Sequence, residues 1–77
     1  MQPTLNETVA ANTRAELARR GVKQADLALT VGWTKATASR RLSGSTEWTA
    51  TDLDRVATFL GLTVADLMTE QRQAASA

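Results

Sequence analysis

Residues 24–44 read QADLALTVGWTKATASRRLSG and predict two short helices joined by a tight turn. Leu27, Ala28 and Val31 recur with the spacing of one helical face, which predicts an apolar stripe on the first helix. Gly32 follows this stripe and can adopt a positive φ at little steric cost, so the chain can turn sharply there. We therefore expect the first helix to end at Gly32 and a second helix to begin shortly after it.

The second predicted helix runs over residues 35–43, with Thr34 as its N-cap. Ala38 and Leu42 lie four residues apart on one face, which we expect to pack inward. The opposite face is expected to carry Lys35, Ala36, Ser39 and Arg40. A small domain can place such a helix in the major groove of duplex DNA, so this face is a candidate DNA-reading surface.

The composition argues against several other functional classes. The 77 residues contain no Cys and no His, so the chain has no thiolate nucleophile, no imidazole base and no nitrogen or sulfur ligands for zinc. We expect no enzyme, no metal, no cofactor and no small-molecule ligand. The apolar runs are far shorter than the roughly 20 residues that span a bilayer, and the N-terminus lacks a signal-peptide pattern. A cytoplasmic protein without a membrane partner is expected.

The charges are unevenly distributed along the chain. The net charge is only +1, but residues 14–41 hold seven basic and two acidic side chains, for a local charge of +5. Residues 42–77 carry a net charge of −3. This asymmetry would orient the basic segment toward a polyanion.

The remaining sequence predicts three further helices and no second domain. A ladder of residues spaced by four predicts a first helix that Gly21 ends, and it consists of Leu5, Val9, Thr13 and Leu17. Two capping boxes, at residues 49–52 and 63–66, predict the starts of the last two helices. We expect one all-α domain over residues 1–70 and a frayed or disordered tail over residues 71–77, which are rich in Ala, Gln and Ser.

In this order and at this spacing, the segments resemble the lambda-repressor-like helix-turn-helix family of phage repressor and Cro (XRE-like) proteins. The motif residues that match are Gln24, Leu27, Ala28, Gly32, Thr34, Ala38, Leu42, Ser43 and Gly44. Residues 10–21 resemble the first helix of that family, and residues 53–67 resemble its fourth helix, Leu-Gly turn and fifth helix. The resemblance covers roughly residues 5–68. It implies a compact five-helix domain whose third helix enters the major groove.

Four positions depart from the family pattern. Lys23 stands where Ser or Thr usually caps the second helix, and a lysine there can reach a phosphate instead. Ala38 replaces a larger aliphatic residue, while Trp33 and Trp48 stand where aliphatic residues or proline are usual. We expect the two indole rings to pack in the core, the alternatives being a dimer contact or a phosphate contact through the indole N–H.

The resemblance and the local charge together imply a set of DNA contacts: Arg14, Lys23, Gln24, Thr34, Lys35, Ala36, Thr37, Ser39, Arg40 and Arg41. Within this set we expect Gln24 to bind a phosphate and Arg40 to read a base. For Arg14 and Arg41 an alternative stays open, because arginine stems also cover apolar neighbours at helix edges.

The function implied is sequence-specific duplex DNA binding by a transcriptional regulator, of the phage or prophage repressor or Cro type. Such a protein would act in the cytoplasm of a bacterium or infected host by operator occupancy, as a homodimer. The alternatives are an antitoxin or excision-type accessory protein, and a helical protein-interaction module whose basic face meets an acidic partner.

Overall fold

The computed structural model describes residues 3–70, so the predicted tail at residues 71–77 lies outside the described residues. The described part contains α1 (Leu5–Arg20), α2 (Gln24–Val31), α3 (Lys35–Ser43), α4 (Ala50–Leu60) and α5 (Val64–Met68). No β-strand occurs between residues 3 and 70. The prediction of an all-α fold with five helices is confirmed, as is the predicted extent of the third helix.

Threonine caps the N-terminus of every helix except α2. Thr34 accepts a hydrogen bond from the backbone N–H of Thr37, and equivalent bonds begin α1, α4 and α5 at Thr4, Thr49 and Thr63. Both predicted capping boxes form, and α1 has a third, unpredicted one between Thr4 and Glu7. At α2, Lys23 makes no side-chain cap, as expected, at a cost of about 1 kcal/mol relative to a capping residue.

The turn between α2 and α3 depends on Gly32. Its φ of 81° lies in the left-handed region, where a residue with a side chain would be strained. The backbone N–H groups of Gly32 and Trp33 both donate to the carbonyl of Ala28, which ends α2 within one residue. The chain can therefore enter α3 at once, and the short predicted turn is confirmed.

Side chains from other helices cap the C-terminal ends of four helices. Guanidinium groups of Arg55, Arg14 and Arg20 donate to the carbonyls of Val31 in α2, Leu42 in α3 and Leu60 in α4. The amide nitrogen of Asn12 donates to the carbonyls of Leu67 and Thr69 at the end of α5, over 2.7 and 2.8 Å. We call these four donors the cross-caps.

The core lies where α1 packs against α3 and α5, and α2 and α4 pack against each other. Its largest fully buried side chains are Val9, Thr13, Leu27, Leu42, Val56 and Leu67. All four residues of the predicted ladder lie in α1; three of them are buried, and Leu5 is exposed. Leu5 is the first residue of α1, one turn before the core begins at Val9. None of the helices within residues 3–70 has the length and apolar character needed to cross a membrane.

Candidate nucleic-acid interface

Helix α3 has one buried face and one exposed face, as its sequence predicts. Ala38 and Leu42 are buried against the rest of the domain. The exposed residues on the opposite side are Lys35, Ala36, Ser39 and Arg40. The face expected to read DNA is therefore fully accessible to a partner.

The N-terminus of α3 is open to an anion. Thr34 caps it by accepting from the Thr37 backbone N–H over 3.1 Å, and the Thr34 hydroxyl lies 3.0 Å from that of Thr37. Among the helices within residues 3–70, α3 is the one with no acidic residue in its first turn. The partial positive charge of the helix end is therefore not neutralised by a nearby carboxylate.

Helices α2 and α3 together form a shallow groove on this side of the molecule. Gln24, Lys35 and Ser39 line it, so three of the predicted contacts from two helices lie on one continuous surface. Its buried lining comes from Ala28, Trp33 and Ala38. The small side chain of Ala38 leaves the groove open between the helices.

The basic residues of this region divide into two groups. The side chains of Lys23, Lys35 and Arg40 have no hydrogen bond or ion pair with any other residue between 3 and 70. By contrast, Arg19 and Arg20 both pair with the carboxylate of Glu16, over 2.5 and 3.2 Å. The local charge of +5 is therefore not presented as one surface, because some of the basic residues form ion pairs within the protein.

Two predicted DNA contacts, Arg14 and Arg41, have partners within the protein, and of the two Arg14 is exposed. Arg14 donates to the carbonyl of Leu42, at the end of α3. The side chain of Arg41 is 19% exposed, and its Nε lies 3.2 Å from the Oδ2 of Asp52. Its guanidinium carbon also lies 5.5 Å from the centre of the Trp33 ring, in a cation–π arrangement.

Asp52 is the acidic partner at this point and is charged at neutral pH. Burial alone would raise the pKa of its carboxyl, but hydrogen bonds from Thr49 and Trp33 and the charge of Arg41 outweigh that effect and lower the pKa. The sequence predicts Asp52 as part of a capping box but does not predict its contacts with Trp33 and Arg41. A carboxylate can accept several hydrogen bonds and a capping box uses only part of this capacity, so the sequence did indicate that Asp52 could have further donors as partners.

Both indole rings are core residues. Trp33 and Trp48 pack edge to face, with ring centres 5.3 Å apart and planes at 88°. The Trp33 N–H donates to Asp52 over 3.0 Å, and the Trp48 N–H donates to the carbonyl of Arg41 over 2.8 Å. The packing interpretation is confirmed, since neither N–H is left for a phosphate.

Residues 3–70 contain no cluster of three acidic side chains able to hold a metal ion. A family model for the Cro/C1-type HTH DNA-binding domain matches residues 14–71, well over half of the chain. No curated protein and no solved structure matches the sequence significantly.

Proposed function

Since this chain belongs to the Cro/C1-type helix-turn-helix DNA-binding domain family, we propose that it is a phage or prophage regulator of the repressor or Cro type. It acts by occupying an operator, which blocks access of RNA polymerase to the promoter. Helix α3 lies in the major groove, and α2 lies across the sugar-phosphate backbone. The observation that carries the proposal is the exposed face of α3, with Lys35 and Arg40 unpaired within residues 3–70.

The proposed contacts divide into base readers and phosphate binders. Arg40 extends from the middle of the exposed face, and its planar guanidinium suits the O6 and N7 atoms of guanine. Lys35 reaches a base or a phosphate from the first turn, Ser39 bonds a base edge, and Ala36 touches a thymine methyl group. The phosphate binders are Lys23, Gln24, Thr34 and Thr37. Arg14 and Arg41 are left out of the proposed contacts because Arg14, although exposed, donates to the carbonyl of Leu42, and Arg41 is largely buried beside Asp52.

The operator is occupied by a symmetric homodimer. One recognition helix reads only a few base pairs, and a second copy about one helical turn away, roughly 34 Å, gives the specificity that one copy lacks. We place the dimer contact on the turn at Gly61 and Leu62 and on α5. Met68 of α5 is 39% exposed, and Leu62 is half-buried, so this end of the domain offers apolar surface.

Selection of bound duplexes from a random pool tests the function directly. We expect the selected sequences to share two related half-sites about one helical turn apart, and their affinity to fall steeply with salt concentration. Recovery of duplexes with no common sequence would contradict the proposal. Binding to an acidic protein partner with no measurable affinity for duplex DNA would favour the protein-interaction module instead.

A further inference from the structure

One carboxylate connects the recognition helix to two neighbouring segments. Asp52 accepts the Trp33 N–H on Oδ1 over 3.0 Å and the backbone N–H of Thr49 on Oδ2 over 2.9 Å. The Nε of Arg41 lies 3.2 Å from the same Oδ2 and forms an ion pair with it, although the buried Nε has no hydrogen-bond partner within residues 3–70. Trp48 completes the group by donating to the carbonyl of Arg41. We call Trp33, Arg41, Trp48 and Asp52 the indole-carboxylate cluster.

The cluster holds α3 at both ends. Trp33 comes two residues before the helix begins, and Arg41 lies in its last turn. Arg40 and Arg41 are consecutive and therefore point in directions about 100° apart around the helix axis. Because Arg41 is fixed toward Asp52, the direction in which Arg40 leaves the helix is fixed as well.

Resting on the proposed function, we propose that the indole-carboxylate cluster is a positioning device for base reading. Arg41, held by Asp52 and Trp33, sets the rotation of α3 about its own axis and does not contact DNA. Its effect on recognition is exerted through Arg40.

The contacts of the cluster are better suited to fixing the orientation of α3 than to raising the free energy of unfolding. A partly buried ion pair contributes little net stability, because desolvation of both charges offsets their attraction. An apolar contact, however, tolerates a small rotation of a helix, whereas hydrogen bonds weaken steeply as their angles change. The directional bonds of the cluster are those from the Trp33 N–H to Asp52 and from the Trp48 N–H to the Arg41 carbonyl, and they hold the segments between which the Arg41–Asp52 ion pair forms. A directional contact at this position therefore favours one orientation of the reading face.

The first test replaces Arg41 by Gln and measures two quantities, the preference for the selected duplex over its single-base variants and the salt dependence of binding. We expect the preference to fall by about tenfold, the size of one lost base contact. Affinity for unrelated DNA and the salt dependence should stay as in the wild type. If Arg41 binds a phosphate, affinity for every duplex falls equally and the salt slope drops by about 1, which overturns the proposal.

A matched pair of variants separates positioning from helix capping. Asp52 and Glu7 both close capping boxes with a threonine, but Glu7 has no contact with Arg41 or Trp33 within residues 3–70 and lies outside the proposed DNA and dimer contacts. We expect Asp52→Asn to reduce base preference and Glu7→Gln to leave it unchanged. An equal loss of preference in both variants would assign the effect to capping and overturn the proposal. Arg41→Lys, which keeps the charge but loses the planar contact, repeats the test if Asp52→Asn does not fold.

A third measurement needs no DNA. The chain has two Trp and no Tyr, so its intrinsic fluorescence reports on the cluster during unfolding. Arg41→Gln and Asp52→Asn should act non-additively on the unfolding equilibrium. If the two substitutions change the free energy of unfolding additively while the wild-type protein still selects its operator, the positioning role of the cluster is overturned and the proposed function stands. A wild-type protein that selects no sequence overturns the proposed function, and the role assigned to the cluster falls with it.

Discussion

Gly44 lies so close to Glu7 that a β-carbon on the glycine would stand 3.3 Å from the Glu7 α-carbon. The contact joins the end of α3 to the first turn of α1, backbone against backbone. Gly44 also has a φ of 84°, in the left-handed region. Two independent constraints therefore act on this position, steric and conformational.

We expect Gly44→Ala to destabilise the protein more than Gly61→Ala. Gly61 has a similar φ of 71° but open space around its α-carbon, so its substitution costs only the conformational strain, about 1 kcal/mol. At Gly44 the helix backbone must also move, and we expect a cost of about 2 to 3 kcal/mol. Chemical denaturation of both variants measures the difference. Equal losses of stability in the two variants would mean that the backbone of α1 at Glu7 can move away from a β-carbon at position 44 without an energetic cost.

Thr13→Val should stabilise the protein. The hydroxyl of Thr13 is fully buried and has no hydrogen-bond partner within residues 3–70. Valine has nearly the same shape and removes the unsatisfied group, so we expect a gain of about 1 kcal/mol in the free energy of unfolding. Thr13→Ser is the control, since it keeps the hydroxyl and deletes a buried methyl group. A loss of stability in Thr13→Val would show that the hydroxyl is bonded in solution.

Arg40→Ala should reduce base preference, whereas Gln24→Ala should reduce affinity for every DNA sequence. Loss of Arg40 should cost about 1 to 3 kcal/mol on the preferred duplex and relax the preference at one base pair per half-site. Loss of Gln24 should weaken binding to all sequences by a similar factor, because a phosphate contact carries no base information. Titrations against the preferred duplex, its single-base variants and unrelated DNA distinguish the two. The reverse pattern would mean that α3 lies in the groove in a different rotation.

Assembly on DNA should be cooperative in the presence of two half-sites. We expect sedimentation to give two chains per operator, and a charge placed at Leu62 or Met68 to weaken operator binding without changing affinity for a single half-site. Leu5, which is exposed at the N-terminal end of α1 and lies outside the proposed dimer contact, serves as the control position. One chain per duplex, with no tighter binding to two half-sites than to one, would contradict the proposed dimer.

The pH dependence of stability should be confined to acid. Backbone and side-chain hydrogen bonds from Thr49 and Thr63 help to lower the pKa values of Asp52 and Asp66 in the folded protein. Between the folded and unfolded pKa values the unfolded chain binds more protons, so stability rises with pH there. The contribution is complete above about pH 5 and is lost as the pH falls below about 4. With no His in the chain, we expect no change between about pH 5 and 8. A marked slope near neutrality in urea denaturation would contradict this assignment.

Local signals account for what the sequence predicted correctly. The start of α3 follows from Thr34, whose side chain caps the backbone N–H of Thr37. Its end follows from Gly44, which comes directly after the last turn. Family membership rests on the order of such short segments, and it is confirmed. The capping box at Thr4 is of the same local kind and was available in the sequence.

The partners of Arg14 and Arg41 could not be predicted in this way. Their partners lie 28 and 11 residues away in the sequence, at Leu42 and Asp52, and only the packing of whole helices brings them together. A sum of charges over residues 14–41 counts both arginines as exposed and unpaired, whereas Arg14 is exposed but hydrogen-bonded and Arg41 is largely buried. Burial and pairing, which depend on the tertiary fold, decide which charges a partner can meet.

The cross-caps make the end of one helix depend on the presence of another. In an isolated helix the last turn opens readily, and its amide hydrogens exchange quickly with solvent. Here the final carbonyls of α2 and α3 are held by Arg55 of α4 and Arg14 of α1, so neither end can open without breaking a contact between helices. Hydrogen exchange in these turns should therefore approach the rate of global unfolding, and the domain should open as one cooperative unit.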